Sequence, residues 1–112
     1  MDTPDYDDYY SLTEYARRFV ADPDKYIALW ISQASVLSRI ELWEEGHGNM
    51  FFRKDILPSF LSKVESDELL NLEEVIEGLS LTSIFIEEDE VFADISIYYD
   101  FVGFLLMSKN NT

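Results

Sequence analysis

The chain of 112 residues has no cysteine, which excludes a disulfide scaffold, thiolate zinc sites and cysteine nucleophiles. Glycine is scarce: the four stand apart at positions 46, 48, 78 and 103, so no glycine-rich loop exists to cradle a phosphate. The longest clean apolar run covers residues 101–107, far short of the roughly 20 residues a membrane-spanning helix needs. The opening MDTPDYDDYY has neither the positive region nor the apolar stretch of a secretory signal, and the expected location is cytoplasmic. Positive charge is scarce as well. Eight Lys and Arg stand against 23 Asp and Glu, a formal charge of −15, and no cation occurs between Val64 and Ser108. A chain of this sign is not expected to bind nucleic acid directly, because phosphates need cations opposite them.

Hydrophobic residues make up 47% and charged residues 28%, close to the globular averages of about 45–50% and 25%. The acidity is therefore not the low-hydrophobicity kind that accompanies disorder. The length suits a single domain over residues 1–112, with residues 1–10 read as an acidic, Tyr-rich arm because Asp2, Asp5, Asp7 and Asp8 among Tyr6, Tyr9 and Tyr10 lack helical periodicity.

Ser11 followed by Glu14 is a capping-box start, and Leu12, Tyr15, Ala16, Phe19 and Val20 recur at helical spacing behind it. Asp22-Pro23 ends that helix and opens a second one, with Ile27, Trp30, Ile31, Ala34 and Leu37 as its apolar face. From residue 38 to 54 two readings stand. Alternation in Arg39-Ile40-Glu41-Leu42-Trp43-Glu44, the turn cluster at 46–49 and the basic Arg53-Lys54 suggest a hairpin with Glu41, Glu44 and Glu45 facing the cations; the alternative is one long helix over residues 23–45. Pro58 opens a short third helix. Ser66 would cap a fourth, with Asp67 and Glu68 in its first turn, Leu69, Leu72, Ile76 and Leu79 inward and Gly78 closing it. Beyond Ser80 the β-branched and aromatic residues suit a pleated surface: one strand before and one after an acidic turn at residues 87–90, and a third from Phe101. The expected fold class is α+β, with N-terminal helices packed on a C-terminal antiparallel β-meander.

Nothing in the chain carries a catalytic signature. His47 is the only histidine and lies between glycines, where small neighbours would hold a general base poorly; no nucleophile-elbow pattern occurs. Residues 2–8 and 87–90 offer oxygen ligands, but neither has the spacing of a calcium loop. No enzyme activity, metal or other cofactor is expected.

Some acids have a structural duty at a helix start, but others have none. Glu73 and Glu77 stand four apart, a like-charge pair costing about 0.2–0.5 kcal/mol, and Glu87, Glu88, Asp89 and Glu90 crowd a turn that one Asp or Asn would make. The bland reading is a solvated, solubilising face. Against it, tyrosine keeps company with acid in Asp5-Tyr6-Asp7-Asp8-Tyr9-Tyr10 and Tyr98-Tyr99-Asp100, and tyrosine is enriched among residues that dominate protein interfaces. The expected partner-binding set is Glu73, Glu74, Glu77, Glu87, Glu88, Asp89 and Glu90 together with Tyr98, Tyr99 and Asp100, with Tyr98 or Tyr99 as anchor.

This clustering of Tyr, Asp and Glu, the small size and the absence of cysteine resemble the immunity proteins that bacteria make against nuclease toxins, such as those of colicins and contact-dependent growth inhibition systems. The resemblance implies an inhibitor without chemistry of its own, binding a basic toxin domain over its active site or beside it, with no direct nucleic acid or membrane contact. The other readings are a DNA-mimicking inhibitor of a DNA-binding defence enzyme, an acidic adaptor subunit, and, last, a hydrolase dependent on His47.

Overall fold

The structure, a computed structural model, describes residues 8–110. It is α+β, with six helices and one three-stranded antiparallel sheet. In chain order these are β1 (Tyr9–Ser11), α1 (Leu12–Arg17), α2 (Pro23–Ile31), α3 (Ala34–Gly46), α4 (Leu57–Glu65), α5 (Leu72–Leu79), β2 (Ile84–Glu87), β3 (Glu90–Asp94) and α6 (Ile95–Asn110). The sheet order is β1-β3-β2. It is thus not a C-terminal meander: the sheet draws one strand from near the N-terminus, and a helix follows it.

Several local signals act as their chemistry requires. The Ser11 hydroxyl accepts from Glu14 N–H at 3.0 Å to start α1, and the Asp22 carboxylate caps α2 with Pro23 in its first turn. The hairpin around the acidic turn is present, with Glu87 opposite Glu90 and Ile86 opposite Val91.

Four expectations are corrected. First, the arm ends earlier than residue 10. Tyr9 to Ser11 pair with Asp94 to Phe92, and the Tyr9 hydroxyl donates to the Thr82 carbonyl at 2.7 Å; residues 1–7 lie outside the described residues. Second, residues 38–54 form neither a hairpin nor part of one long helix. The chain breaks at Ser32, whose hydroxyl bonds back to the Ala28 carbonyl, and α3 begins afresh. The charge pairing expected of a hairpin is nonetheless made, since Lys54 meets Glu41 at 3.3 Å and Glu45 at 3.1 Å. Third, Ser66 terminates α4 rather than starting α5. Asp67 turns the chain with φ 60°, and Asn71 caps α5 by accepting from Glu74 N–H, so Asp67 and Glu68 have no helix-start duty. Gly78 lies within α5, and Ser80 with φ 56° closes it. Fourth, the strand from Val91 stops at Asp94, and no strand starts at Phe101. The Asp94 carboxylate accepts from Ser96 N–H and hydroxyl at 3.0 and 2.8 Å, turning the chain into α6, where Ile97, Phe101 and Leu105 bury one helical stripe. Packing at a spacing of four overrides the strand preference of Ile and Tyr.

The core gathers Leu12, Trp30, Ile31, Leu37, Ile40, Leu79, Ile84, Phe101 and Leu105, with Trp30 edge-on to Phe101 at 5.5 Å. Trp43 is only half-buried, and Phe85 and Phe92 stack at 5.2 Å on the less buried side of the sheet.

One buried charge organises the region beneath the acidic residues. Glu44 in α3 is fully buried, and its carboxylate accepts from Thr82 N–H at 2.9 Å, Ser83 N–H at 2.8 Å, the Thr82 hydroxyl at 2.9 Å and Asn49 Nδ2 at 2.7 Å. A buried carboxylate is tolerable only when its lone pairs are taken this fully. These bonds fix the connection between α5 and β2, the two elements that carry Glu73 and Glu87.

Candidate functional site

A cleft of about 630 Å³ opens between α2, the α4–α5 connection, the start of α5 and the hairpin. Ile27, Leu70, Leu72 and Val91 contribute apolar lining, and Leu69 and Ile86 stand on it 58% and 40% exposed. Asp24, Glu73 and Asp89 also line it, and among the described residues no Lys or Arg does. Three carboxylates from three separate elements therefore share one rim.

Both walls are held from behind. The Ser32 hydroxyl donates to Ala28 O and accepts from Leu70 N–H at 2.8 Å, which ties the α4–α5 connection to the end of α2. Buried Thr13 accepts from Val91 N–H at 2.9 Å, which ties the hairpin to α1. Ser11 donates to Glu90 at 2.9 Å. The cleft is thus preformed, the condition under which binding costs least ordering entropy.

The hairpin tip is a two-residue turn with Glu88 at φ 52° and Asp89 at φ 65°. Both central residues in the left-handed region make this the turn type that Asn-Gly normally supplies. Holding two side-chain-bearing residues there costs about 1–2 kcal/mol each, and neither carboxylate forms an ion pair among the described residues. Among the described residues no ion pair involves Glu73, Glu74, Glu77, Glu87, Glu88 or Asp89; the pairs present use Asp55, Asp100, Glu41 and Glu45. Glu73 and Asp24 have a second role in the first turn of α5 and α2, where they favour the helix dipole. The expectation that Glu73 has no internal return is corrected accordingly. Glu77, near the C-terminus of α5, has no such compensation.

The ten expected partner-binding residues divide into two groups. Glu73 and Asp89 meet at the cleft, with Glu74 and Glu77 exposed on α5, Glu87 and Glu88 exposed at the tip, and Glu90 half-buried against Ser11. Tyr98, Tyr99 and Asp100 lie on α6, which contributes nothing to the cleft lining. Asp100 is engaged internally: Trp30 Nε1 donates to it at 3.1 Å, and Arg39 forks onto it through Nε and Nη2. That carboxylate holds the Arg39 guanidinium more firmly protonated. Tyr98 is half-buried among Tyr10, Tyr15 and Tyr99, with ring centroids 5.3, 5.8 and 5.5 Å away, and burial pushes its phenol pKa up. It lies at the margin of the core. Tyr99 is 62% exposed.

Asp24, Leu69 and Ile86 were not among the expected site residues. Each reads alone as a cap, an inward helix residue or a strand residue, and only the packing of α2 against α5 and the hairpin collects them.

His47 stacks on Trp43 at 3.8 Å, and its Nδ1 donates to the Trp43 carbonyl at 2.8 Å. Among the described residues no group of three His, Asp or Glu side chains is arranged to hold a metal ion, and no helix is long and apolar enough to cross a membrane. No family model, no curated protein and no solved structure matches this chain.

Proposed function

We propose that this protein is an immunity-type inhibitor, acting in the cytoplasm without chemistry of its own, that binds a basic toxin domain, a nuclease by preference, through the hairpin tip and the cleft beside it. The observation that carries the reading is the rim of Asp24, Glu73 and Asp89 around exposed Leu69 and Ile86, adjoining a tip where Glu88 and Asp89 hold an unfavourable backbone and form no ion pair among the described residues. A nuclease domain must be basic to hold phosphate. An acidic edge steers such a partner at up to about 10⁸–10⁹ M⁻¹s⁻¹ at low salt, and an apolar floor then slows release by desolvating the contact. The anchors in this reading are Leu69 and Ile86 in place of Tyr98. The apolar floor favours a protein partner over the mimicry of DNA, which needs spaced acids and no hydrophobic seat.

The test begins with the gene beside this one. If it encodes a toxin, producing its C-terminal domain in cells should stop growth, and co-production of this protein should restore it. Reversing Glu87, Glu88, Asp89 and Glu90 to Lys should abolish rescue and, in purified proteins, lower the association rate and flatten its dependence on salt. Rescue and kinetics unchanged by the reversal would overturn the assignment of the site. Competition with DNA on several unrelated basic proteins would instead mark a mimic.

A further inference from the structure

The cleft beside the hairpin tip joins two chemistries in one place. Its floor is apolar, made by Ile27, Leu70, Leu72 and Val91, and Leu69 and Ile86 stand exposed on it. Its rim carries Asp24 from the first turn of α2, Glu73 from the first turn of α5 and Asp89 from the hairpin tip. None of these three carboxylates forms an ion pair among the described residues. The volume of about 630 Å³ falls within the roughly 300–1,000 Å³ of ligand pockets, room for several side chains rather than a lone ion. The bonds from Ser32 to Leu70 and from Thr13 to Val91 hold the floor in place before anything binds. An apolar seat within a rim of one sign is matched by a ligand that is apolar at its centre and of the opposite sign at its ends.

We propose that the cleft takes a short segment of the partner protein in which an apolar residue is flanked by arginines, the apolar side chain resting on the floor and the guanidinium groups reaching the rim carboxylates. The proposal rests on the inhibitor reading for who the partner is, and on charge complementarity for what enters the cleft. Arginine suits the site better than lysine for two reasons. Its guanidinium is more weakly hydrated, so it gives up less on approaching an apolar floor, and its planar fork presents paired donors to a carboxylate. Its methylene stem can lie along Leu69 or Ile86 while the charged head stays at the rim. Other occupants supply only half of what the cleft offers. A small inorganic cation leaves the floor uncovered, and a wholly apolar segment desolvates the carboxylates without compensation. Nucleic acid and anionic lipid are repelled by the rim. A second copy of this chain brings −15 against the same sign, and residues 1–7 of the chain itself contain no Lys or Arg.

The test titrates the isotope-labelled full chain with the capped peptide acetyl-Arg-Leu-Arg-amide and follows backbone amides by NMR. Saturable shifts should gather at residues 69–73 and 86–91, with a dissociation constant on the order of 1 mM that rises with added salt. Replacing both arginines of the peptide by lysine, or its leucine by glycine, should weaken binding about two- to fivefold. Asp89→Asn, which keeps a residue tolerant of the left-handed turn, and Leu69→Ala should each do the same, and amides remote from the cleft report that each variant is folded. Shifts scattered over every acidic surface, a titration that does not saturate, or lysine and glycine peptides that bind as well as the arginine–leucine one would overturn the proposal. The two readings fail separately. Peptide uptake in the cleft by a protein that rescues cells from no toxin defeats the inhibitor reading alone, whereas rescue by a protein whose cleft ignores the peptide defeats the occupant proposed here.

Discussion

Removing the Glu44 carboxylate is the sharpest test of how the acidic edge is held. In Glu44→Ala, the N–H groups of Thr82 and Ser83, the Thr82 hydroxyl and the Asn49 amide all lose their acceptor. Neither backbone donor can turn away; Ser83 N–H is buried and Thr82 N–H partly so, and a buried donor left unpaired costs about 1–3 kcal/mol. The hydroxyl and amide can rotate, and Asn49 keeps its 2.9 Å bond to the Ser80 carbonyl, so they add less. Release of the desolvated charge offsets part of the loss. The balance is a destabilisation of about 4 kcal/mol, a large share of the 5–15 kcal/mol typical of a domain. In urea this lowers the unfolding midpoint by about 2 M. Glu44→Gln retains one acceptor oxygen but turns an NH₂ group toward a donor, and should fall between wild type and the alanine variant. Chemical denaturation followed by tryptophan fluorescence gives both values. An alanine variant within about 1 kcal/mol of wild type would show that the carboxylate is not the tie described, and the account of how α5 and the hairpin are set side by side would fail with it.

Replacing Glu88-Asp89 by Asn-Gly relieves two left-handed residues and should stabilise the protein by about 1–2 kcal/mol while slowing association with a basic partner. Thermal unfolding that fails to rise would mean that the tip is not held against its own preference. Tyr98→Phe tests the alkaline limb of stability. Burial raises the folded phenol pKa above its ordinary 10.0, so the fold favours the neutral form; that contribution is intact below about pH 10 and is lost as pH rises through the folded value. The phenylalanine variant should lose less stability than wild type above pH 10, and its phenolate absorbance should lack one late-titrating tyrosine; coincident alkaline unfolding curves would refute this.

Elements announced by local chemistry were legible: Ser11 with Glu14, Asp22 with Pro23, Pro58, and the acidic turn between β2 and β3. Those decided by tertiary packing were not. The run from Ile95 to Met107 is apolar or aromatic but for Ser96, Asp100 and Gly103, so its period is hidden in the residues and shows only in burial at 97, 101 and 105. Around residue 44, alternating charge suggested a strand, because one of the three acids there is buried and the other two pair with Lys54. Glu73 and Asp89 were identifiable as acids without an obvious partner, but their shared rim depends on Ser32 and Thr13 holding walls that no linear pattern reveals.

The sheet has a consequence for synthesis. Its central strand, β3, is edged by residues 9–11, and the links Ser11 to Glu90 and Thr13 to Val91 span 79 and 78 residues. Contacts so distant along the chain pay their loop-closure entropy before any reward and tend to form late. A nascent chain still tethered to the ribosome therefore holds its opening segment without a partner strand. The sheet, and the acid tip mounted on it, come into being only after translation has passed residue 94.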